Sequence, residues 1–289
     1  MKLSVTLATF NEAENIGRCL TSVAEIADEI VIVDGESTDE TVKIAKEYKA
    51  KVISEPNKPN FHINKQMAND AADGEWILQL DADEEITPAL ATEIRKVVVM
   101  SDEEREDYHV AVMQEYPIFG RQQHQLMMRD GAVGSNDGPV VGYFISRKNY
   151  FMGTYLVHGG VYPDGVIRLF KADKGHLPAK DVHEQYHIDG KISWLVEPML
   201  HHDSPTFERY LARNSRYSSM FARQMEEQGQ TISLGQGLYF MVGKPVMIFF
   251  SLYIRHAGFK DGLPGLVWAY FSAQTWMTAY IKYWEMKRG

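Results

Sequence analysis

The order of elements in the first 54 residues constrains the fold more than any other stretch of the chain. Leu3-Ser4-Val5-Thr6-Leu7-Ala8-Thr9-Phe10 alternates as a strand does. Asn11-Glu12-Ala13-Glu14-Asn15 leads into a helix that ends near Val23. Glu29-Ile30-Val31-Ile32-Val33 is a second, almost continuously apolar strand, which breaks into the polar loop 34–39. A helix from about Glu40 to Tyr48 precedes a third strand, Lys51-Val52-Ile53-Ser54. Strand, helix, strand, helix, strand in so short a span predicts βαβ units on a parallel sheet. Ligands of such sheets bind beyond the carboxyl ends of the strands, where Thr9 and Asp34 stand. The glycine-rich dinucleotide fingerprint is absent, which leaves NAD binding with little support.

Trp76-Ile77-Leu78-Gln79-Leu80 reads as a further core strand, and it runs straight into Asp81-Ala82-Asp83-Glu84-Glu85. Carboxylates gathered at the end of a buried strand are costly without a partner. A divalent cation is one partner, and oxygen ligands select a hard one such as Mg²⁺ or Mn²⁺. The plain alternative is a solvated acidic turn before a helix N-terminus, where acids are favoured.

Three motifs in order, each after a strand, carry a resemblance: Ala8-Thr9-Phe10-Asn11-Glu12, Val33-Asp34-Gly35-Glu36-Ser37-Thr38-Asp39-Glu40-Thr41 and Leu80-Asp81-Ala82-Asp83. Together they resemble the family 2 inverting glycosyltransferases of the GT-A fold. Gly159-Gly160-Val161-Tyr162-Pro163-Asp164, Arg168-Leu169-Phe170 and Val182-His183-Glu184 are similar to the bacterial subgroup that adds sugars to lipopolysaccharide core and related glycolipids. The likeness covers roughly residues 1–225.

The resemblance implies roles. Asp34 and Asp39 would contact the base and ribose of a nucleotide diphosphate sugar, with Thr9, Asn11 and Glu12 nearby. A carboxylate suits such a place because it accepts hydrogen bonds from ring N–H and hydroxyl groups; Asp39 can equally cap the helix that follows it. Lys65 stands where the family often has a basic residue, and is either a phosphate contact or a solvated helix lysine. Asp81, with Ala82 beside it, would face the donor sugar or ribose, and Asp83 would hold the metal. An inverting transfer needs one carboxylate near the acceptor hydroxyl as general base. The resemblance places it at Glu184, with Asp181 as the alternative and His183 shaping the site. His202, in His201-His202-Asp203, would complete the metal shell with Asp83 and Asp81, or else is a packed structural histidine.

The single cysteine, Cys19, excludes a disulfide within the chain and falls on the apolar side of the first helix. Met1-Lys2 leads directly into the first strand, without a signal peptide, so the site is expected to face the cytoplasm. Residues 96–107 are charge-rich and expected at the surface, whereas 113–155 show no clear period and would suit acceptor-binding loops. Ser204 and Pro205 can open a helix reaching about Gln228. Its Arg209, Arg213 and Arg216 are either a solvated face or a grip on anionic lipid or acceptor phosphate. Residues 236–289 hold six Lys or Arg against two Asp or Glu, in a chain of net charge −9. The apolar run 245–254 is too short to span a bilayer as a helix. The run 263–281 is nearly long enough, but Gln274 and several hydroxyls interrupt it. Aromatic and basic residues together suit a membrane interface; a helical pair packed on the catalytic domain or on a second subunit is the competing explanation.

The sequence thus predicts an α/β GT-A domain over 1–203, Rossmann-like, and a helical region over 204–289 that is membrane-associated or oligomerising. The expected activity is metal-assisted transfer from a nucleotide diphosphate sugar to a glycolipid, lipid-linked saccharide or lipopolysaccharide-type acceptor, at the inner-leaflet surface. No nucleic-acid partner is expected, and a homo-oligomer is possible. Two other readings remain at this point: a sugar-phosphate nucleotidyltransferase, and a non-catalytic sugar-nucleotide-binding membrane adaptor.

Overall fold

The computed structural model describes residues 2–58, 60–131, 133–178 and 185–288. By its internal contacts the chain divides into two units, 1–147 with 163–201 and 148–162 with 202–289. The segment 148–162, which the expected boundary at 203 assigned to the catalytic part, packs with the second unit.

In unit 1, β1 (Leu3–Thr9), α1 (Ile16–Val23), β2 (Glu29–Asp34), α2 (Thr41–Glu47), β3 (Lys51–Ser54), α3 (Phe61–Asp70) and β4 (Trp76–Leu80) alternate as predicted. The strands lie in the order β3-β2-β1-β4, all parallel. Thr9 pairs with Asp34, and Leu7 with Leu80, so the polar ends of three strands collect at one edge. Val5, Leu7, Ile16, Leu20, Ile32, Leu78 and Leu80 are fully buried and build the core beneath that edge.

β5 (Glu84–Glu85), α4 (Pro88–Val99), α5 (Asp102–Glu115) and α6 (Pro117–Asp130) follow. Thr87 and Ser101 cap α4 and α5 by accepting from Leu90 and Glu104 backbone N–H. The charge-rich segment 96–107 is not wholly at the surface. Arg105 is 2% exposed, lies over the Trp76 ring at 5.4 Å, and donates to Met100 O and Asp102. The stretch without a clear period resolves into α6 and the 17-residue strand β6 (Ser135–Phe151), which turns back as β7 (Thr154–Leu156). β8 (Asp164–Lys171) then runs antiparallel between β4 and β6. β9 (Gly175–His176) pairs with β10 (His187–Ile188), β11 (Lys191–Trp194) joins β6, and β12 (Met199–Ser204) pairs through Leu200 and His201 with β5.

Unit 2 contains α7 (Phe207–Glu227), α8 (Leu234–Leu238), α9 (Lys244–Phe250) and α10 (Gly262–Met286). The cap of α7 is Thr206, which accepts from Arg209 N–H; Ser204 still belongs to β12. Arg213 is neither simply solvated nor free for an anion, because it pairs with Asp203. α10 packs along α7: Asn214 donates to Thr275 Oγ1 at 2.9 Å, Phe221 stacks on Trp276 at 4.6 Å, and Lys282 Nζ donates to Ser218 and Ser219. The loop after β7 is tied to the turn before α10. Asp261 accepts from His158 Nδ1 at 2.7 Å and from His158 N–H, and Gly159 and Gly160 take the positive φ that this turn requires.

The run expected over 245–254 is longer than its apolar stretch. α8, a π-helical turn at Tyr239–Gly243, α9 and a second at Ser251–Arg255 form one continuous helical run, Leu234–Arg255, of 22 residues. It passes through Pro245, and the wider turn just before accommodates the ring and the missing N–H.

Trp194 shows how tightly unit 1 is filled. It stacks on Phe119 at 4.7 Å and Phe144 at 4.8 Å, and a Cβ added at Gly165 would stand 2.2 Å from its ring. Gly165→Ala should therefore cost about 1–3 kcal/mol, as overpacking does, read as a lower urea midpoint. An unchanged midpoint would mean that the indole can retreat without loss.

Candidate active site

The two loops beyond β1 and β2 are laced into one floor. Asp34, 1% exposed, accepts from Thr9 Oγ1 at 2.9 Å, Ser37 N–H at 2.8 Å and Ser37 Oγ at 2.7 Å. Asn11, at φ 55°, accepts through Oδ1 from Thr38 N–H, and its own N–H donates to Ser37 Oγ. Asp39 accepts from Thr41 N–H, Thr41 Oγ1 and Ala13 N–H, while Glu12 N–H donates to Thr41 Oγ1. These bonds, that from the Thr41 hydroxyl foremost, hold the Asp39 carboxyl below its ordinary value. Asp39 thus braces the start of α2 from one residue ahead of the N-cap, Glu40, and does not cap the helix itself.

Behind the carboxylate cluster lies a chain of alternating charge. Lys65 Nζ is 2.5 Å from Asp81 Oδ1, and Asp81 Oδ2 is 2.6 Å from Arg168 Nη2. The same Arg168 nitrogen is 2.7 Å from Glu84 Oε1, which lies 3.8 Å from Arg147. Arg147 closes the series with two bonds to Asp164, at 2.8 and 3.0 Å. Gln79 Oε1 accepts from Arg168 Nη1 at 2.6 Å, and Glu84 accepts from Asp81 N–H at 2.9 Å. Burial by itself would raise the Asp81 carboxyl, but Arg168 and then Lys65 outweigh it and hold the group well below the carboxylate range. Burial, opposed by Asp81, brings the Lys65 ammonium below the usual lysine value. Lys65 is therefore not a solvated helix lysine. Its residue is 7% exposed, and it faces the same cleft as Asp81.

That cleft, of about 290 Å³, is lined by Phe10, Glu12, Phe61, Lys65, Asp81, Ala82, Asp83 and His201. Phe10 and Phe61 are each nearly half exposed, so a planar ring has aromatic surface to stack on. His201 Nε2 lies 3.7 Å from Asp83 Oδ2, which makes His201 the histidine beside the acidic motif. His202 was the expected ligand, but successive strand residues point to opposite faces. Its ring lies against Tyr150 at 5.6 Å and Tyr155 at 5.8 Å. Below the motif, the buried Cys19 donates its S–H to Asp81 O at 3.6 Å. Burial, followed by repulsion from Glu84, Asp83 and Asp81, raises that thiol well above its ordinary value.

Sequence reasoning thus brought Thr9, Asn11, Glu12, Asp34 and Asp39 to one floor and Lys65, Asp81, Ala82 and Asp83 to one cleft. It gave no role to Phe61, Glu84, Arg147, Asp164, Arg168 and His201. Arg168 and Asp164 had a signal, since both lie in motifs that carried the resemblance. Asp181, His183 and Glu184 lie outside the described residues. Among the described residues no three His, Cys, Asp or Glu side chains gather as a metal cage.

Arg168→Met would leave Glu84, 0% exposed, and Asp81 without their main counter-charge. The expected loss is about 3–5 kcal/mol. A carboxyl depressed in the folded state contributes stability above its unfolded value of about 3.9, lost as pH falls through the folded value. Without Arg168 the folded value rises, so acid unfolding followed by circular dichroism should begin at higher pH. The same midpoint in variant and parent would refute this.

Comparison with known proteins agrees with this geometry. Residues 4–155, just over half of the chain, match the family described as Glycosyl transferase family 2. An uncharacterized glycosyltransferase of Rickettsia felis is 27% identical over 266 residues, covering 92% of this chain and 83% of its own length. The lipopolysaccharide core biosynthesis glycosyltransferase LpsC of Rhizobium meliloti is 24% identical over 287 residues, covering 94% of this chain and 91% of its own. Among solved structures, glucosyl-3-phosphoglycerate synthase from Mycobacterium tuberculosis, in complex with Mn²⁺, UDP and glucosyl-3-phosphoglycerate, is 26% identical over 29% of this chain and 34% of that one, with a TM-score of 0.27. The chain thus spans about a third of that synthase, too local a likeness to bear on the rest. With the family match covering the floor, the carboxylate motif and every cleft residue but His201, the chain belongs to glycosyl transferase family 2 and is a glycosyltransferase of the GT-A fold.

Proposed function

We propose that this enzyme moves a sugar from a nucleotide diphosphate sugar to a lipid-linked or lipopolysaccharide-type acceptor, with inversion, at the cytoplasmic face of a membrane. The observation that carries the donor half is the cleft itself: an exposed aromatic pair, a buried ammonium and an aspartate–histidine pair, Asp83 with His201, share one wall system. Phe10 or Phe61 takes the base, and Lys65 meets the diphosphate. Asp81, held ionised, accepts from a hydroxyl of the ribose or donor sugar. The acceptor half is supported by the likeness to LpsC along almost the whole chain. A nucleotidyltransferase is not favoured by the family.

One carboxylate and one imidazole fit Mg²⁺ or Mn²⁺, because such ions keep waters and take their remaining ligands from substrate phosphates. Asp83 and His201 would hold it, and its chemistry there is neutralisation of the departing diphosphate. Asp81 contributes little to that shell, since Arg168 and Lys65 already balance its charge. The base is Glu184, or else Asp181. Each can take the acceptor hydroxyl proton as the oxygen attacks the anomeric carbon in line with the leaving diphosphate. Residues 1–203 would form the catalytic part and 204–289 the part that meets the membrane or a second copy.

A screen of nucleotide sugars for hydrolysis and for a rise in melting temperature tests the donor reading; no response to any donor would refute it. Asp83→Ala should fold normally and lose roughly 10²-fold or more in turnover, as removal of one charge-stabilising group does. Full turnover in excess EDTA would exclude the metal. Glu184→Gln should keep donor binding and lose roughly 10²–10⁴-fold in transfer. Normal transfer by Glu184→Gln beside an inactive Asp181→Asn would move the base to Asp181.

A further inference from the structure

Unit 2 carries an apolar surface that its own fold leaves uncovered. Within the run Leu234–Arg255 the most apolar 18-residue window has a mean hydropathy of 1.5, and only 6% of that window is buried. A core helix would be mostly buried, and a signal sequence would stand near the amino terminus; neither describes it. Leu234, Leu238, Val242, Val246, Phe250 and Ile254 recur at every fourth position, and each is between 48% and 82% exposed. In an unbroken α-helix a four-residue repeat drifts by about 40° per step. The π-helical turns at Tyr239–Gly243 and Ser251–Arg255 are wider, so the drift reverses there and the stripe keeps to one side.

Lys244 is the only charged residue between 234 and 254, and it is turned inward. Its Nζ lies 3.1 Å from the centroid of the Trp276 ring and 5.1 Å from that of Phe240. Aromatic faces there replace part of its water, and the outward stripe stays uncharged as far as Arg255. Arg255, His256 and Lys260 then stand together, all exposed.

At about 33 Å the run is long enough to cross a hydrocarbon core of roughly 30 Å, so length alone does not fix its attitude. α10 does, because it packs at once against this run and along α7. Arg209, Arg216, Arg223, Glu226 and Glu227 of α7 are exposed. An upright run would take α10 with it, and would carry those charges into hydrocarbon at high cost.

We infer that Leu234–Arg255 lies flat in a membrane interface, its stripe among the acyl chains and Arg255, His256 and Lys260 against anionic headgroups. This rests on, and deepens, the reading of the enzyme as one that works on lipid-linked acceptors. It also moves the membrane contact from 263–281 to 234–255.

The test uses the full chain with nitroxide labels placed singly at Leu238→Cys, Val246→Cys and Ile254→Cys; Cys19 is buried and escapes labelling. With vesicles of phosphatidylcholine and phosphatidylglycerol, all three labels should report the same shallow depth. Val246→Glu with Phe250→Glu should weaken vesicle partition by about 100-fold or more, the fold-change expected when two buried apolar side chains are lost. The melting-temperature response to nucleotide sugar should be unchanged. A deep central label between two shallow ends would show a span. A soluble dimer broken by the double substitution, with no vesicle binding, would show that a second copy covers the stripe. Either result, or a monomer that ignores vesicles, overturns the inference. Donor hydrolysis in the same samples reports separately on the proposed activity.

Discussion

The Arg168 guanidinium is the constraint from which the geometry of the cleft follows. Withdrawing one cation and two carboxylates from water costs several kcal/mol per ion unless every one is paired and hydrogen-bonded. Here Gln79, Asp81 and Glu84 must all converge on it. That fixes β8 antiparallel to β4, and it fixes the turn that returns Glu84 to Asp81 N–H. The position of Asp83 follows, since it lies within that turn. The chain of six charges cancels, so the carboxylate motif is far less negative than its sequence looks. In a protein of net charge −9, that cancellation lets an anionic donor approach.

The floor obeys a similar economy. Asp34 and Asp39 spend most of their lone pairs on backbone and hydroxyl donors of their own loops. A ligand therefore meets a surface already rigid, and little ordering is left to oppose binding. Gly35 permits the close crossing, since its N–H donates to Thr9 O at 2.7 Å where a Cβ would crowd Asn57.

The parallel sheet and the polar ends of its strands were legible in the sequence because each is a local pattern: apolar runs, loop residues, carboxylates after a strand. What was not legible depends on which residues lie across from one another. The charge-rich look of 96–107 hides Arg105, whose counterparts come from Met100, Asp102 and the Trp76 ring. The resemblance put the histidine ligand at His202, and it is the pairing of β12 with β5 that brings His201 beside Asp83. On paper the apolar run began only after Lys244, yet that charge rests on Trp276 and a wider turn carries the helix into Pro245. The break was in composition and not in the helix.

Cys19 has a consequence of its own. As the one thiol in the chain, it sits fully buried under the carboxylate motif with a raised pKa. Neither alkylation nor oxidation can reach a thiolate there until the core around α1 opens. Its labelling rate is therefore an internal clock for that opening. Any nucleotide sugar that binds only the closed floor should slow the clock in proportion to its occupancy, which makes ligand binding readable on a single sulfur without an assay of turnover.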